Sequence, residues 1–146
     1  MIGFGMIFPL SSIPIATISP CKVEGMDFKN SKDSLMKISQ YEIWLANLNP
    51  SKGTEPGKVR PVVVVQSNLL NDIHLSTIIC PITTNVLPEL KILRVALTKK
   101  QLDEKSEVLV DQLRAIDNKR FIKKLGKLTK EQITQLKTNL SIVLDL

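Results

Sequence analysis

This 146-residue chain has little of what many enzymes use for chemistry: one histidine, two cysteines, one tryptophan and one tyrosine. His74 stands alone, so paired-histidine acid–base catalysis is excluded within one subunit, and no Cys/His cluster has the spacing of a zinc site. Cys21 and Cys80 are too few for a disulfide framework. Cys80 lies in an apolar run and reads as a small buried hydrophobe, which suits a reducing, cytoplasmic setting. With aromatic residues at 4%, a base-stacking platform has little support, and Trp44 reads as core. Residues 1–20 carry no charged side chain, yet Pro9, Pro14 and Pro20 argue against a membrane span. No basic residue precedes that apolar stretch, as a secretory signal would require.

What is present fits a single globular domain. Hydrophobic residues make up 43% and charged residues 23%, and the length suffices for a true core. Lys and Arg number 20 against 14 Asp and Glu, a net of +6. Lys22, Lys29 and Lys32 balance Glu24, Asp27 and Asp33, so the whole excess belongs to residues 36–146. A field of that sign favours polyanions, nucleic acid first among them, although a merely basic domain has the same balance. Residues 36–146 read as the domain. Residues 1–35 read as an extension: a misassigned start, with translation beginning at Met26 or Met36, or a disordered tail.

From residue 40 onward the pattern is one of short strands. Expected strands are Tyr41–Leu48, Val62–Gln66, Ser76–Thr83, Ile92–Leu97 and Glu107–Ile116, the last with Val108, Val110 and Gln112 on one face. Lys99–Lys105 suggests a short helical turn. The period then changes. Thr129 and Gln132 match a capping box, and Ile133, Leu136, Leu140 and Val143 recur on one helical face. The expected fold is mainly β, a small, strongly bent barrel closed off by a C-terminal α-helix.

The densest local signal is Gly53 to Gln66. Pro56-Gly57 suits a type II turn, Pro61 restricts Arg60 to an extended backbone and suits a strand's first residue, and Val62–Val65 is a buried run. The chain thereby fixes the backbone of Arg60 and presents its guanidinium at a strand mouth. A guanidinium forks onto phosphate oxygens, although Arg60 paired with Glu55 across the loop is an equally physical reading. Thr83 and Thr84 offer hydroxyls at the end of a strand. Gln66, Ser67 and Gln112 either read base edges or satisfy buried backbone. The run Lys119, Arg120, Lys123, Lys124, Lys127 is either a phosphate-tracking surface or a solvated connector before the helix.

In these stretches the chain resembles the MazF/PemK family of toxin endoribonucleases. The resemblance rests on Ile43-Trp44-Leu45 with Asn47-Leu48-Asn49-Pro50, Gly53-Thr54-Glu55 with Arg60-Pro61, and Pro81-Ile82-Thr83-Thr84-Asn85. It continues through Val110-Asp111-Gln112-Leu113-Arg114 and Lys124-Leu125-Gly126-Lys127-Leu128, covering residues 36–146 in order. It implies an SH3-like barrel acting as a homodimer. The implied activity is sequence-specific cleavage of single-stranded RNA without metal or cofactor, neutralised by a cognate antitoxin protein. Arg60 and Thr83 match the family's catalytic pair, while Thr54, Glu55, Gln66, Thr84 and Gln112 match RNA-contacting positions. A cytoplasmic protein with no membrane association is implied. The alternative is a non-catalytic toxin on the same barrel that binds DNA gyrase, which would have no need of Arg60 together with Thr83.

Overall fold

The computed structural model describes residues 36–50, 53–54 and 57–146, so the expectation for residues 1–35 lies outside the described residues. Among the described residues seven strands and two α-helices follow in the order β1 (Glu42–Asn47), β2 (Val59–Val64), α1 (Asn68–Asn71), β3 (Ser76–Thr83), β4 (Arg94–Leu97), β5 (Ser106–Leu109), β6 (Arg114–Asp117), β7 (Phe121–Lys127) and α2 (Lys130–Leu144). The strands form one antiparallel sheet ordered β4-β5-β3-β2-β1-β7, with β6 pairing the other end of β3. Among the described residues β4 and β7 do not pair, so the sheet bends into a barrel without full closure.

Both faces of its centre are buried, which explains the unbroken valines of β2. On one face Ile43, Val63, Cys80, Ile82, Val95, Val108, Val110 and Leu136 form a cluster capped by α2. On the other, Trp44, Ala46, Val62, Val64, Ile79, Ile116 and Phe121 form a second buried cluster. Trp44 meets Phe121 edge-to-face at 5.8 Å, as the ring quadrupoles favour.

α2 begins with the expected capping box: Gln132 N–H donates to the Thr129 hydroxyl, and Thr129 N–H donates to the Gln132 side chain. Leu136 is fully buried, and Ile133, Leu140 and Val143 pack beside it. Two amides tie the helix to the sheet, Gln132 donating to the Ala96 carbonyl at 3.1 Å and Asn139 to the Lys91 and Arg94 carbonyls.

β1 and β4 are shorter at their ends than the sequence pattern suggests, and three larger features depart from it. β2 starts at Val59, with Pro61 as its third residue; over Val59–Pro61 it pairs only with β1, so the missing proline N–H costs little. The expected strand Glu107–Ile116 is two strands. Ile82 pairs with Val108 and Ile79 with Arg114, and the surplus of chain between those pairs is looped out as a 3₁₀ turn, Val110–Gln112. The basic stretch before α2 is no connector: Phe121–Lys127 is an edge strand on β1. Its exposed lysines blunt that edge against further pairing.

Glu42 links β1 to this edge, accepting from Trp44 Nε1 at 2.9 Å, Ser39 N–H at 3.0 Å and Lys124 Nζ at 2.7 Å. Burial alone would raise its pKa, but the bonds from Lys124, Trp44 and Ser39, with the Lys124 charge, outweigh it and hold the carboxyl below its ordinary value. A depressed carboxyl stabilises the fold above the unfolded pKa and loses that contribution as pH falls through the folded one. Glu42→Gln is therefore expected to unfold at lower urea than wild type at pH 7, with the gap closing as pH falls below about 4.3. A gap that stays constant down to acid pH would contradict this role.

Candidate active site

One transverse row of the sheet bears on the expected catalytic pair. Phe121 pairs with Ala46, Ala46 with Arg60, and Thr83 with Glu107. Between them, β2 and β3 pair through Val64↔Ile79, Val63↔Cys80 and Val62↔Pro81. Carried two residues further, that register sets Arg60 level with Thr83. Opposed residues on neighbouring strands share a face. Arg60 therefore follows Val62 and Val64 along β2, and Thr83 follows Ile79 and Pro81 along β3, onto the face bearing Trp44 and Phe121. By that register the two predicted catalytic residues lie on one face, two positions beyond the last paired residues of the β2–β3 ladder.

Arg60 is half-buried, and its Nε donates to the Gly57 carbonyl at 2.9 Å. That bond orients the guanidinium, and its two Nη groups make no hydrogen bond among the described residues. The loop behind it is held at its base. Leu48 N–H donates to the Lys58 carbonyl, and Lys58 N–H to Asn49 Oδ1 at 2.7 Å. Lys58 sits at φ 66° and Gly53 at φ 59°, both left-handed, a conformation glycine adopts freely and lysine only when held. The expected type II turn at Pro56-Gly57 and the Glu55 partner for Arg60 involve residues outside those described.

Thr83 is half-buried. Its Oγ1 accepts from Asn85 N–H at 3.2 Å, which leaves the hydroxyl proton free to be donated. Thr84 and Thr54 are exposed. Gln112, half-buried in its 3₁₀ turn beside β3, makes no side-chain hydrogen bond among the described residues. Gln66 is different: it is buried, and its amide binds Asn71 Oδ1 at 3.0 Å, the Ser76 carbonyl and Ile78 N–H. The structure turns it inward, away from the row.

Cations gather on the β1 side. Arg120 Nη1 donates to the carbonyls of Asn47 and Asn49. An open pocket of about 470 Å³ lies there, lined by Asn47, Asn49, Asp117, Lys119, Arg120 and Ile122. The basic run is visible in the sequence, whereas the backbone carbonyls that hold Arg120 are not, since they lie some seventy residues away along the chain. Cys80 is fully buried, and burial, with the Asp111 charge, pushes its thiol up to about 12, so it is no nucleophile at neutral pH. Among the described residues no group of His, Cys, Asp and Glu could hold a metal ion, and no helix is long and apolar enough to cross a membrane.

The structure is thus a bent, incompletely closed β-barrel with a C-terminal helix, in which the Arg60 guanidinium is anchored through Nε and the Thr83 hydroxyl accepts from the following loop. Residues 39–144 match the family model of the PemK-like, MazF-like toxins of type II toxin–antitoxin systems. An endoribonuclease MazF of Staphylococcus epidermidis is 33% identical over 111 residues, covering 75% of this chain and 92% of that protein. Two solved structures share the fold. A MazF from Deinococcus radiodurans has a TM-score of 0.66 at 21% identity, covering 76% of this chain and 99% of that one. An endoribonuclease from a Mycobacterial species, in complex with its cognate antitoxin, has a TM-score of 0.63 at 16% identity, covering 75% and 96%. The chain belongs to the PemK/MazF family of toxins.

Because Asn49 supplies the acceptor that holds Lys58 in its left-handed conformation, Asn49→Ala is expected to cost about 1 kcal/mol in urea unfolding. Hydrogen exchange at the Lys58 amide should accelerate more than at Val63. Equal protection of Lys58 in both proteins would show that the loop does not depend on this bond.

Proposed function

We propose that this protein is a sequence-specific, metal-independent endoribonuclease that cleaves single-stranded RNA, the toxin of a type II toxin–antitoxin pair. The observation that carries the reading is the shared row of Arg60 and Thr83, within a chain that resembles an endoribonuclease MazF over most of its length. In the proposed reaction the 2′-hydroxyl attacks the adjacent phosphorus and the bond to the 5′-oxygen breaks. The products are a 2′,3′-cyclic phosphate and a 5′-hydroxyl. Negative charge grows on the non-bridging oxygens, and donors placed beforehand lower that barrier. Arg60, anchored through Nε, offers its Nη groups to those oxygens, and Thr83 offers its hydroxyl proton. A guanidinium holds its proton too tightly to serve as a base. We therefore assign removal of the 2′ proton to Glu55 or water, and delivery of a proton to the leaving oxygen to water.

Thr54, Thr84 and Gln112 lie on the loops after β1 and β3 and on the 3₁₀ turn, and together with Glu55 are proposed to contact RNA. Gln66 holds the end of β2 from within. The protein acts in the cytoplasm as a homodimer, in which two such rows frame one cationic groove. The cognate antitoxin inhibits it by laying an acidic segment over the same cations. The Mycobacterial neighbour in complex with its cognate antitoxin supports that partnership.

Incubation of the purified protein with a long single-stranded RNA in EDTA is expected to give discrete cuts at one short sequence with cyclic phosphate ends. Arg60→Ala should lower the rate by about 10³-fold or more, and Thr83→Ala by roughly 10–10³-fold, with the fold retained. Full activity in folded Arg60→Ala would overturn the assignment. Intact RNA from folded wild-type protein would favour the gyrase-binding alternative.

A further inference from the structure

The end of β3 carries an ion pair that the proposed reaction does not use. Glu107, opposite Thr83 on β5, is buried, with 7% of its side chain exposed, and Arg94 on β4 has 13% exposed. Glu107 Oε2 accepts from Arg94 Nη1 at 3.2 Å and from Leu87 N–H at 3.0 Å. The same Nη1 donates to the Asn85 carbonyl at 2.7 Å, and Asn85 N–H donates to Thr83 Oγ1 at 3.2 Å. These bonds form a chain from the carboxylate to the hydroxyl: Glu107 to Arg94, Arg94 to Asn85, Asn85 to Thr83.

We propose that Arg94 and Glu107 are positioning residues for the Thr83 hydroxyl, acting through the backbone of Asn85. The proposal rests on the reading of Thr83 as a group that donates to the reacting phosphate. Thr83 is the last residue of β3, and beyond it no ladder fixes the chain. A threonine hydroxyl at a frayed strand end samples several χ1 wells, and only some would aim its proton at the substrate. Here the Asn85 N–H occupies one lone pair of Oγ1 and so selects the rotamer. Arg94 grips the carbonyl of the same residue and so restrains the loop that carries that N–H. Leu87 N–H on Glu107 holds the loop a second time, two residues further on. A buried ion pair is a poor device for stability alone, since an apolar pair of like volume serves as well or better. Its directional bonds can, however, hold a loop in one geometry, and geometry is what a preorganised donor needs.

The test is a double-mutant cycle read on single-turnover cleavage of an RNA oligonucleotide bearing the mapped cut site. The proteins are wild type, Thr83→Ala, Arg94→Met, and the two changes combined. Because Arg94→Met leaves the Glu107 carboxylate buried and unpaired, a parallel cycle uses Arg94→Met/Glu107→Gln, which replaces the pair without orphaning a charge. Circular dichroism and thermal melting establish that each variant is folded.

The expected result is a fall in the cleavage rate of about 10-fold on loss of Arg94, within the range for a displaced donor, with RNA affinity within about twofold of wild type. In the Thr83→Ala background the same change should have no further effect. Glu107→Gln alone, which retains an acceptor for both donors, should recover most of the rate. An equal loss from Arg94→Met with and without Thr83 would overturn the proposal and leave the catalytic reading of Thr83 standing. So would an unchanged rate in a folded variant lacking the pair. A Thr83→Ala protein that cleaves at the wild-type rate would instead overturn the catalytic reading, and this proposal with it.

Discussion

The antiparallel register of β2 against β1 and β3 is the constraint on which the candidate site depends. Side chains alternate faces along a strand, so a slip of one residue would move Arg60 to the face covered by α2 and away from Thr83. The valines of β2 cannot fix that register themselves. Val62, Val63, Val64 and Val65 are interchangeable, and both faces of the sheet accept them. Directional groups at the two ends must do it. At one end Gln66 reaches Asn71, Ser76 and Ile78, a set of bonds that a slipped strand would break while leaving a buried amide unpaired. At the other, Pro61 forbids a donor, and Arg60 is tied back to Gly57. Polar residues thus specify what a degenerate apolar core only stabilises.

This division of labour explains what the sequence made legible. β3 is legible over Ser76–Thr83, the span observed, because Ile and Thr residues ended by Thr84-Asn85 leave no competing pattern. The capping box of α2 was equally clear, since it is a contact between residues adjacent in the chain. Features that depend on distant partners were not. Phe-Ile-Lys-Lys-Leu-Gly-Lys has the charge of a solvated segment, and only β1, remote in sequence, makes a strand of it. The split between β5 and β6 arises because both must pair with one strand, a competition invisible along either alone. Gln66 shows the same limit for the site. A polar residue at a strand end has one appearance in sequence whether it faces solvent or pins a register.

The cations divide in a similar way. Arg94 is committed to Glu107 and Asn85, Arg120 to two backbone carbonyls, and Lys124 to Glu42. Each holds an element in place. Arg60 alone among these four is fixed by one bond through Nε while its forked end is left unbonded among the described residues. A lysine could not be used in the same way, because its three donors share one rotating nitrogen and lack the fixed planar fork. Position and availability are therefore separate properties of one side chain, supplied by different nitrogens.

Thr83 follows the same logic with oxygen in place of nitrogen. Its lone pair is taken by Asn85 N–H and its proton is left to give, so the group is both held and free. Arg60 and Thr83 reach their places from opposite directions, one at the start of β2 and one at the end of β3. Each is anchored by the backbone of its own loop, through Gly57 and Asn85. The sheet supplies the alignment between them, and the loops supply the orientation. A site assembled in this way can change its ligand specificity through residues such as Thr54, Thr84 and Gln112 without disturbing the pair, because none of these three carries the bonds that position it.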